Sequence, residues 1–184
     1  VLRVGASPTS KPLRHYLRDA DSRQFVVDPA GGWREATFTA TDLIQASVPE
    51  LVQALGTIET APNPAWRKRF ERAESVHWSA VEAKAATWEG DVLAQVLANT
   101  PDPATLFVSN SMPVRDLDRY GRPRPADITV LGNRGASGID GSLSTALGAG
   151  QATADPLVAV TGDLAYFHDM NGLFALGRFG GEAT

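Results

Sequence analysis

Short apolar runs, each passing through a polar or glycine-rich turn into a stretch of helical spacing, organise most of this chain. Three runs in its second half set the pattern: Thr105–Ser109 (TLFVS), Ile128–Leu131 (ITVL) and Leu157–Gly162 (LVAVTG). All three read as strands, Thr105–Ser109 as a buried one, and the continuous apolar run Leu157–Val160 predicts a strand covered on both faces, as in a parallel sheet. Each leads to a segment that reads as a helix: Met112–Tyr120, then the small-residue stretch Ser142–Gly150, then Ala165–Arg178. In a parallel sheet the three connecting loops share the carboxyl edge, where open α/β folds bind ligands.

The first sixty residues repeat the alternation more weakly. Val1–Gly5 and Gln24–Asp28 are expected strands, and Ser10 is placed to cap a helix over Leu13–Asp19 with Leu13 and Leu17 on one face. Ala40–Ser47 carries too little pattern for an assignment, and Pro49–Leu55 reads as a short helix. Thr57–Asn63 reads as a linker, and Asn63-Pro64 as a helix start with Asn as the cap and Pro in the first position. Trp66, Phe70, Ala73 and His77 then fall on one helical stripe, where His77 is expected to be packed or partly exposed rather than a ligand. Gly90–Asn99 gives a further helix, and Pro101-Asp102-Pro103 breaks the chain before the second layer. The fold class is α/β, with Rossmann-like parallel-sheet layers in two incomplete domains. Val1–Val4 reads as a strand already under way and Gly180–Thr184 as a loop toward another, so a fragment is expected.

Composition narrows the function classes. A hydrophobic fraction of 43% with 21% charged residues is that of a globular chain. The net charge of −4 argues against a nucleic-acid partner, and without cysteine there is neither a disulfide framework nor a thiolate metal site. No apolar run approaches the roughly 20 residues of a membrane span, and the cytoplasm is the expected setting.

The candidate chemistry lies at the strand ends. In Asn133–Gly148 (NRGASGIDGSLSTALG), Gly135, Gly138 and Gly141 leave the backbone open to a ligand and permit φ > 0. Asp163, at the carboxyl end of the third strand and beside a helix start, suits a phosphate with a divalent cation. The glycine spacing does not meet the dinucleotide fingerprint, no Gly-x-x-x-x-Gly-Lys loop exists, and no nucleophile elbow supports a hydrolytic triad. His168-Asp169 reads as a structural pair. Arg115 and Arg134 both follow strand ends. They are either surface arginines, one bridging Asp116 or Asp118, or a pair that grips carboxylates bidentately.

SNSMPVRDLD (Ser109–Asp118), NRGASGIDG (Asn133–Gly141) with its STALG continuation, and GDLAYFHDMNGL (Gly162–Leu173) together resemble one family. It is that of the 2-succinyl-5-enolpyruvyl-6-hydroxy-3-cyclohexene-1-carboxylate synthases of menaquinone biosynthesis, which are thiamine-diphosphate-dependent transferases. PTSKPLRHYL (Pro8–Leu17) and VVDPAGGW (Val26–Trp33) add weaker support. The resemblance implies that residues 1–60 end a central domain, 61–88 are a linker and connecting helix, and 89–184 begin the diphosphate-binding domain. It implies decarboxylation of 2-oxoglutarate and addition of the resulting succinyl-semialdehyde carbanion to isochorismate, with thiamine diphosphate and Mg2+ (or Mn2+) as cofactors. A homodimer or homotetramer is implied as well.

Residue by residue, Asp163 matches the metal-binding Asp, and Gly162, Leu164 and Ala165 flank the diphosphate position. Ile139 matches the apolar residue that supports the bent cofactor. Ser111, Arg115 and Arg134 match positions lining the substrate pocket, and Lys11 matches a central-domain lysine reaching it. A second metal ligand and the activating glutamate of the family fall outside this sequence, so the chain alone is expected not to turn over. The competing readings are another thiamine-diphosphate-dependent 2-oxoacid decarboxylase or synthase, and a non-catalytic nucleotide-binding module.

Overall fold

The structure, a computed structural model, describes residues 1–57, 61–84 and 88–179, with Phe179 described by its backbone alone. They divide into two compact units, Val1–Glu74 and Ser75–Thr184. Parts of the expected linker (58–60), of the connecting segment (85–87) and the expected loop at Gly180–Thr184 lie outside the described residues.

In the first unit, β1 (Leu2–Val4), β2 (Phe25–Val27) and β3 (Asp42–Ile44) form a parallel sheet in the order β1-β2-β3. Central β2 buries Val26 and Val27. β3 falls in the stretch without a readable pattern. Its three residues are held by pairing with β2, and Thr41 Oγ1 beside it donates to the Gln24 carbonyl at 3.1 Å. The helix α1 (Lys11–Asp19) starts two residues before the expected Leu13, with Ser10 Oγ accepting from the Leu13 N–H at 3.4 Å. Leu17 is buried, whereas Leu13 is 46% exposed. The helix α2 (Val48–Leu55) opens with a capping box, in which Ser47 and Glu50 satisfy each other's backbone N–H groups. Asn63 caps α3 (Pro64–Glu82) as expected, accepting from the Trp66 N–H at 3.0 Å, and the boundary between the units falls within this helix. No residue of α3 is buried, so its aromatic stripe is exposed.

In the second unit, α4 (Glu89–Asn99), β4 (Ala104–Val108), α5 (Met112–Tyr120), β5 (Ile128–Leu131), α6 (Ser142–Gln151) and β6 (Leu157–Val160) follow in the expected alternation. The strands are parallel in the order β5-β4-β6, with Leu106 paired to Val130 on one side and Val158 on the other. β4 is buried along its whole length, and Leu106 and Val108 pack with Leu93 in the core. β6 was expected to be covered on both faces but is only half-buried, because it has a strand neighbour on one side only among the described residues.

The helix expected over Ala165–Arg178 is broken. It starts at Asp163 and divides into α7 (Asp163–His168), a 3-10 turn (Met170–Leu173) and α8 (Phe174–Phe179). The break falls at Asp169, whose carboxylate accepts from the Ser144 N–H at 2.7 Å and from Ser144 Oγ at 3.0 Å. Asp169 thereby caps the first turn of α6 from a distant element, satisfying a donor that the helix itself leaves unpaired.

Candidate functional site

The parallel registry brings the loops after β4, β5 and β6 to one edge of the sheet. Two side chains at the end of β4 join them. Ser109, fully buried, accepts from the Gly162 N–H at 3.2 Å and so ties the end of β6 to β4. Asn110, 2% exposed, donates through Nδ2 to the carbonyls of Asn133 (2.9 Å) and Gly138 (2.6 Å). Its Oδ1 accepts from Arg134 Nη1 at 2.7 Å. Ser111 follows at φ 74°, a left-handed value unusual for a side-chain-bearing residue. Such strain costs on the order of 1–3 kcal/mol and persists where surrounding contacts impose it.

A cavity of about 560 Å³ opens at this edge. Ser111, Ile139, Gly162, Asp163, Leu164 and Ala165 all line it, together with Asn110, Glu89 and Asp116. The structure thus gathers six of the residues singled out in the sequence around one space. The other three are elsewhere. Arg134 is exposed on the loop after β5, outside the cavity lining, and is held by Asn110. Arg115 is exposed and makes no hydrogen bond or ion pair among the described residues, so it bridges neither Asp116 nor Asp118. Lys11 is exposed at the first position of α1, in the first unit.

The glycine loop turns differently from the expectation. Of the three spaced glycines only Gly141 has φ > 0 (68°), at the cap of α6, and a second left-handed position falls on Ser137 (φ 59°). Gly135 and Gly138 nevertheless face open space, since a Cβ at either would meet nothing within 4 Å.

The electrostatics of the cavity are set by carboxylates. Asp116 is 3% exposed. Burial first, and the charge of Glu89 second, raise its carboxyl above the usual aspartate range, with Arg119 and Arg115 pulling the other way. None of the described residues lining the cavity is basic. Asp163 is exposed at the first position of α7, where helix geometry leaves N–H groups without internal partners. No cluster of three or more His, Asp or Glu side chains suited to a metal occurs among the described residues. Asp163 offers an exposed carboxylate at the cavity, which suits Mg2+, an ion that binds through one or two carboxylates plus phosphate oxygens and water.

His168 and Asp169 do not pair with each other, since Asp169 binds Ser144. His77 Nε2 lies 2.7 Å from the Arg119 carbonyl, and His168 Nδ1 lies 3.4 Å from Asp140 Oδ1.

No family model matches the chain. Among curated proteins it is 66% identical over 187 residues to the 2-succinyl-5-enolpyruvyl-6-hydroxy-3-cyclohexene-1-carboxylate synthase of Haloarcula marismortui. It is 62% identical over 184 residues to that of Natronomonas pharaonis, and 59% over 186 residues to that of Halobacterium salinarum. By sequence, the chain is similar along its whole length to one stretch of these synthases. The alignments take in all of the chain and 32%, 31% and 32% of these relatives, so it spans about a third of their length. Among the described residues no helix is long and apolar enough to cross a membrane.

Among the cavity-lining residues not singled out in the sequence are Asn110, Glu89 and Asp116. Asn110 stands inside the quoted SNSMPVR segment, directly after a strand, and that position was the available signal. Glu89 and Asp116 sit on helices at ordinary polar positions and give no local signal.

Proposed function

We propose that this chain supplies the metal-diphosphate half of the cofactor site, and part of the substrate surface, of a thiamine-diphosphate-dependent synthase. The reaction is decarboxylation of 2-oxoglutarate and transfer of its remaining four carbons to isochorismate, in menaquinone biosynthesis. The observation that carries the reading is the convergence of Ser111, Ile139, Gly162, Asp163, Leu164 and Ala165 on one cavity at the carboxyl edge of a parallel sheet. When bound, thiamine diphosphate supplies the electron sink that such a decarboxylation and carbon–carbon bond formation need.

The chain's own residues divide the remaining work. Asp163 would hold Mg2+ or Mn2+, with the Leu164 and Ala165 N–H groups toward the diphosphate and Gly162 leaving room for it. Ile139 would support the cofactor from its apolar side. Ser111, Arg115 and Arg134 would bind the carboxylate substrates, and Lys11 is a further proposed substrate-binding residue. A homodimer or homotetramer in the cytoplasm completes the proposal. Spanning about a third of its relatives' length, the chain by itself is not expected to turn over.

The test is Asp163→Ala in a full-length synthase carrying this segment, with thiamine diphosphate titrated by calorimetry at saturating and at zero Mg2+. Loss of the magnesium-dependent binding is expected, because the diphosphate would face the protein without its bridging cation. Unchanged affinity in that variant would overturn the assignment.

A further inference from the structure

We infer that Asn110 is a positioning residue that presents Arg134 to a substrate carboxylate, an inference that rests on the proposed substrate role of Arg134. Arg134 stands on a loop with little to hold it. The loop residues Arg134–Gly138 are exposed, and Gly135 and Gly138 have no neighbour that a Cβ would touch. An arginine there would sample many rotamers, and ordering it would weaken any ligand it binds.

Asn110 removes that freedom. It continues from β4, the buried central strand, and is itself 2% exposed. Both donors and the acceptor of its amide are used at once: Nδ2 to the carbonyls of Asn133 and Gly138, Oδ1 from Arg134 Nη1. The two carbonyl contacts pin the loop on either side of Arg134, and the third fixes the guanidinium. The Nη1 contact leaves the Nε–Nη2 edge without a protein partner among the described residues. That edge is one of the two-donor faces with which a guanidinium binds a carboxylate bidentately. A neutral partner also leaves the positive charge of Arg134 for the ligand, which an aspartate at position 110 would not.

The experiment is a double-mutant cycle in a full-length synthase carrying this segment, with Asn110→Leu, Arg134→Ala and the double variant. KM and kcat are read for each carboxylate substrate, and cofactor affinity is read by titration. Asn110→Leu is expected to raise one substrate's KM about tenfold and to change kcat by less than about threefold. In the Arg134→Ala background the same substitution should add less than about twofold, because there is no guanidinium left to position. Equal effects in the two backgrounds would show that Asn110 serves only the fold, and no effect in either would overturn the inference outright. If Arg134→Ala alone leaves both KM values unchanged, the fault lies with the substrate role of Arg134, and the inference falls with it. Should Asn110→Leu not fold, Asn110→Asp serves instead. Its carboxylate keeps the Arg134 contact but competes for the charge, so KM should again rise about tenfold, and a KM within twofold of the parent would overturn the inference.

Discussion

Glu35 offers a test of the first unit in which the magnitude can be worked through. Its side chain is 3% exposed and lies 3.2 Å from Arg3 Nη1, itself 8% exposed. Burial alone would raise the carboxyl, but the Thr37 hydroxyl and the N–H groups of Thr37, Thr39 and Ala40 all donate to it. These donors win and bring it from an ordinary 4.5 down to about 2. At about 1.4 kcal/mol per pH unit, that gap corresponds to about 3 kcal/mol of folding free energy.

The sign follows from the depressed value. The folded state binds this proton less readily than the unfolded one, so the stabilisation is complete above the unfolded value and fades as pH falls from about 4.5 toward 2. Glu35→Gln removes the ionisation and turns one acceptor oxygen into a donor facing other donors. At pH 7 the variant should be about 3 kcal/mol less stable, a large share of the stability of a small domain. The gap between wild type and variant should then close over the acid window. Urea unfolding at pH 7, 4, 3 and 2, followed by circular dichroism, measures that difference. Asp19, Asp42 and Glu50 also have lowered values, but they are common to both proteins and cancel. A gap that stays constant from pH 7 to pH 2 would refute the account of Glu35.

Two further outcomes are expected. Arg115→Ala in a full-length synthase should weaken use of one carboxylate substrate by roughly ten- to a hundred-fold while leaving thiamine diphosphate binding intact; steady-state kinetics with a cofactor titration would check both halves. Gly172→Ala should destabilise the second unit by about 1–3 kcal/mol in denaturant unfolding. A Cβ there would lie 2.6 Å from Ser144 Oγ and 3.1 Å from Ser144 N, the two groups that Asp169 binds.

What was legible in the sequence was what local pattern encodes. The runs at Ala104–Val108 and Ile128–Leu131 are apolar and β-branched, and Met112–Tyr120 starts just after a polar turn, so their elements follow from periodicity. The Ser-x-x-Glu spacing of Ser47 and Glu50 likewise carries its capping box openly. β3 was hidden because an Asp-Leu-Ile triplet becomes a strand only through a neighbour already in place. The break at Asp169 was hidden because its reason is a pair of donors on Ser144, 25 residues away. At the site the same rule applies. Asp163 announces itself by standing at a strand end, whereas the work of Asn110 depends on carbonyls 23 and 28 residues along the chain.

The distribution of charge around the cavity bears on how the proposed roles divide. Glu89, Asp116 and Asp163 line it, and no described basic side chain does. A diphosphate entering such a space would meet like charge with less screening than in water, unfavourable by roughly 4 kcal/mol per pair of unit charges at about 4 Å and an effective dielectric of about 20. Backbone N–H groups at the start of α7 offset only part of that, since a helix terminus is equivalent to about half a charge. On the proposed reading the divalent cation is therefore a requirement of the site itself, and Asp163 is the carboxylate exposed enough to bind it. Asp116 is buried, and burial together with the charge of Glu89 raises its carboxyl above the usual aspartate range. Arg115 and Arg134 stand outside the cavity lining and so are not consumed in neutralising the diphosphate. On the proposed reading this separation, with metal and backbone for the cofactor and guanidinium groups for the substrates, would make Asp163 and Arg134 variants fail in different ways.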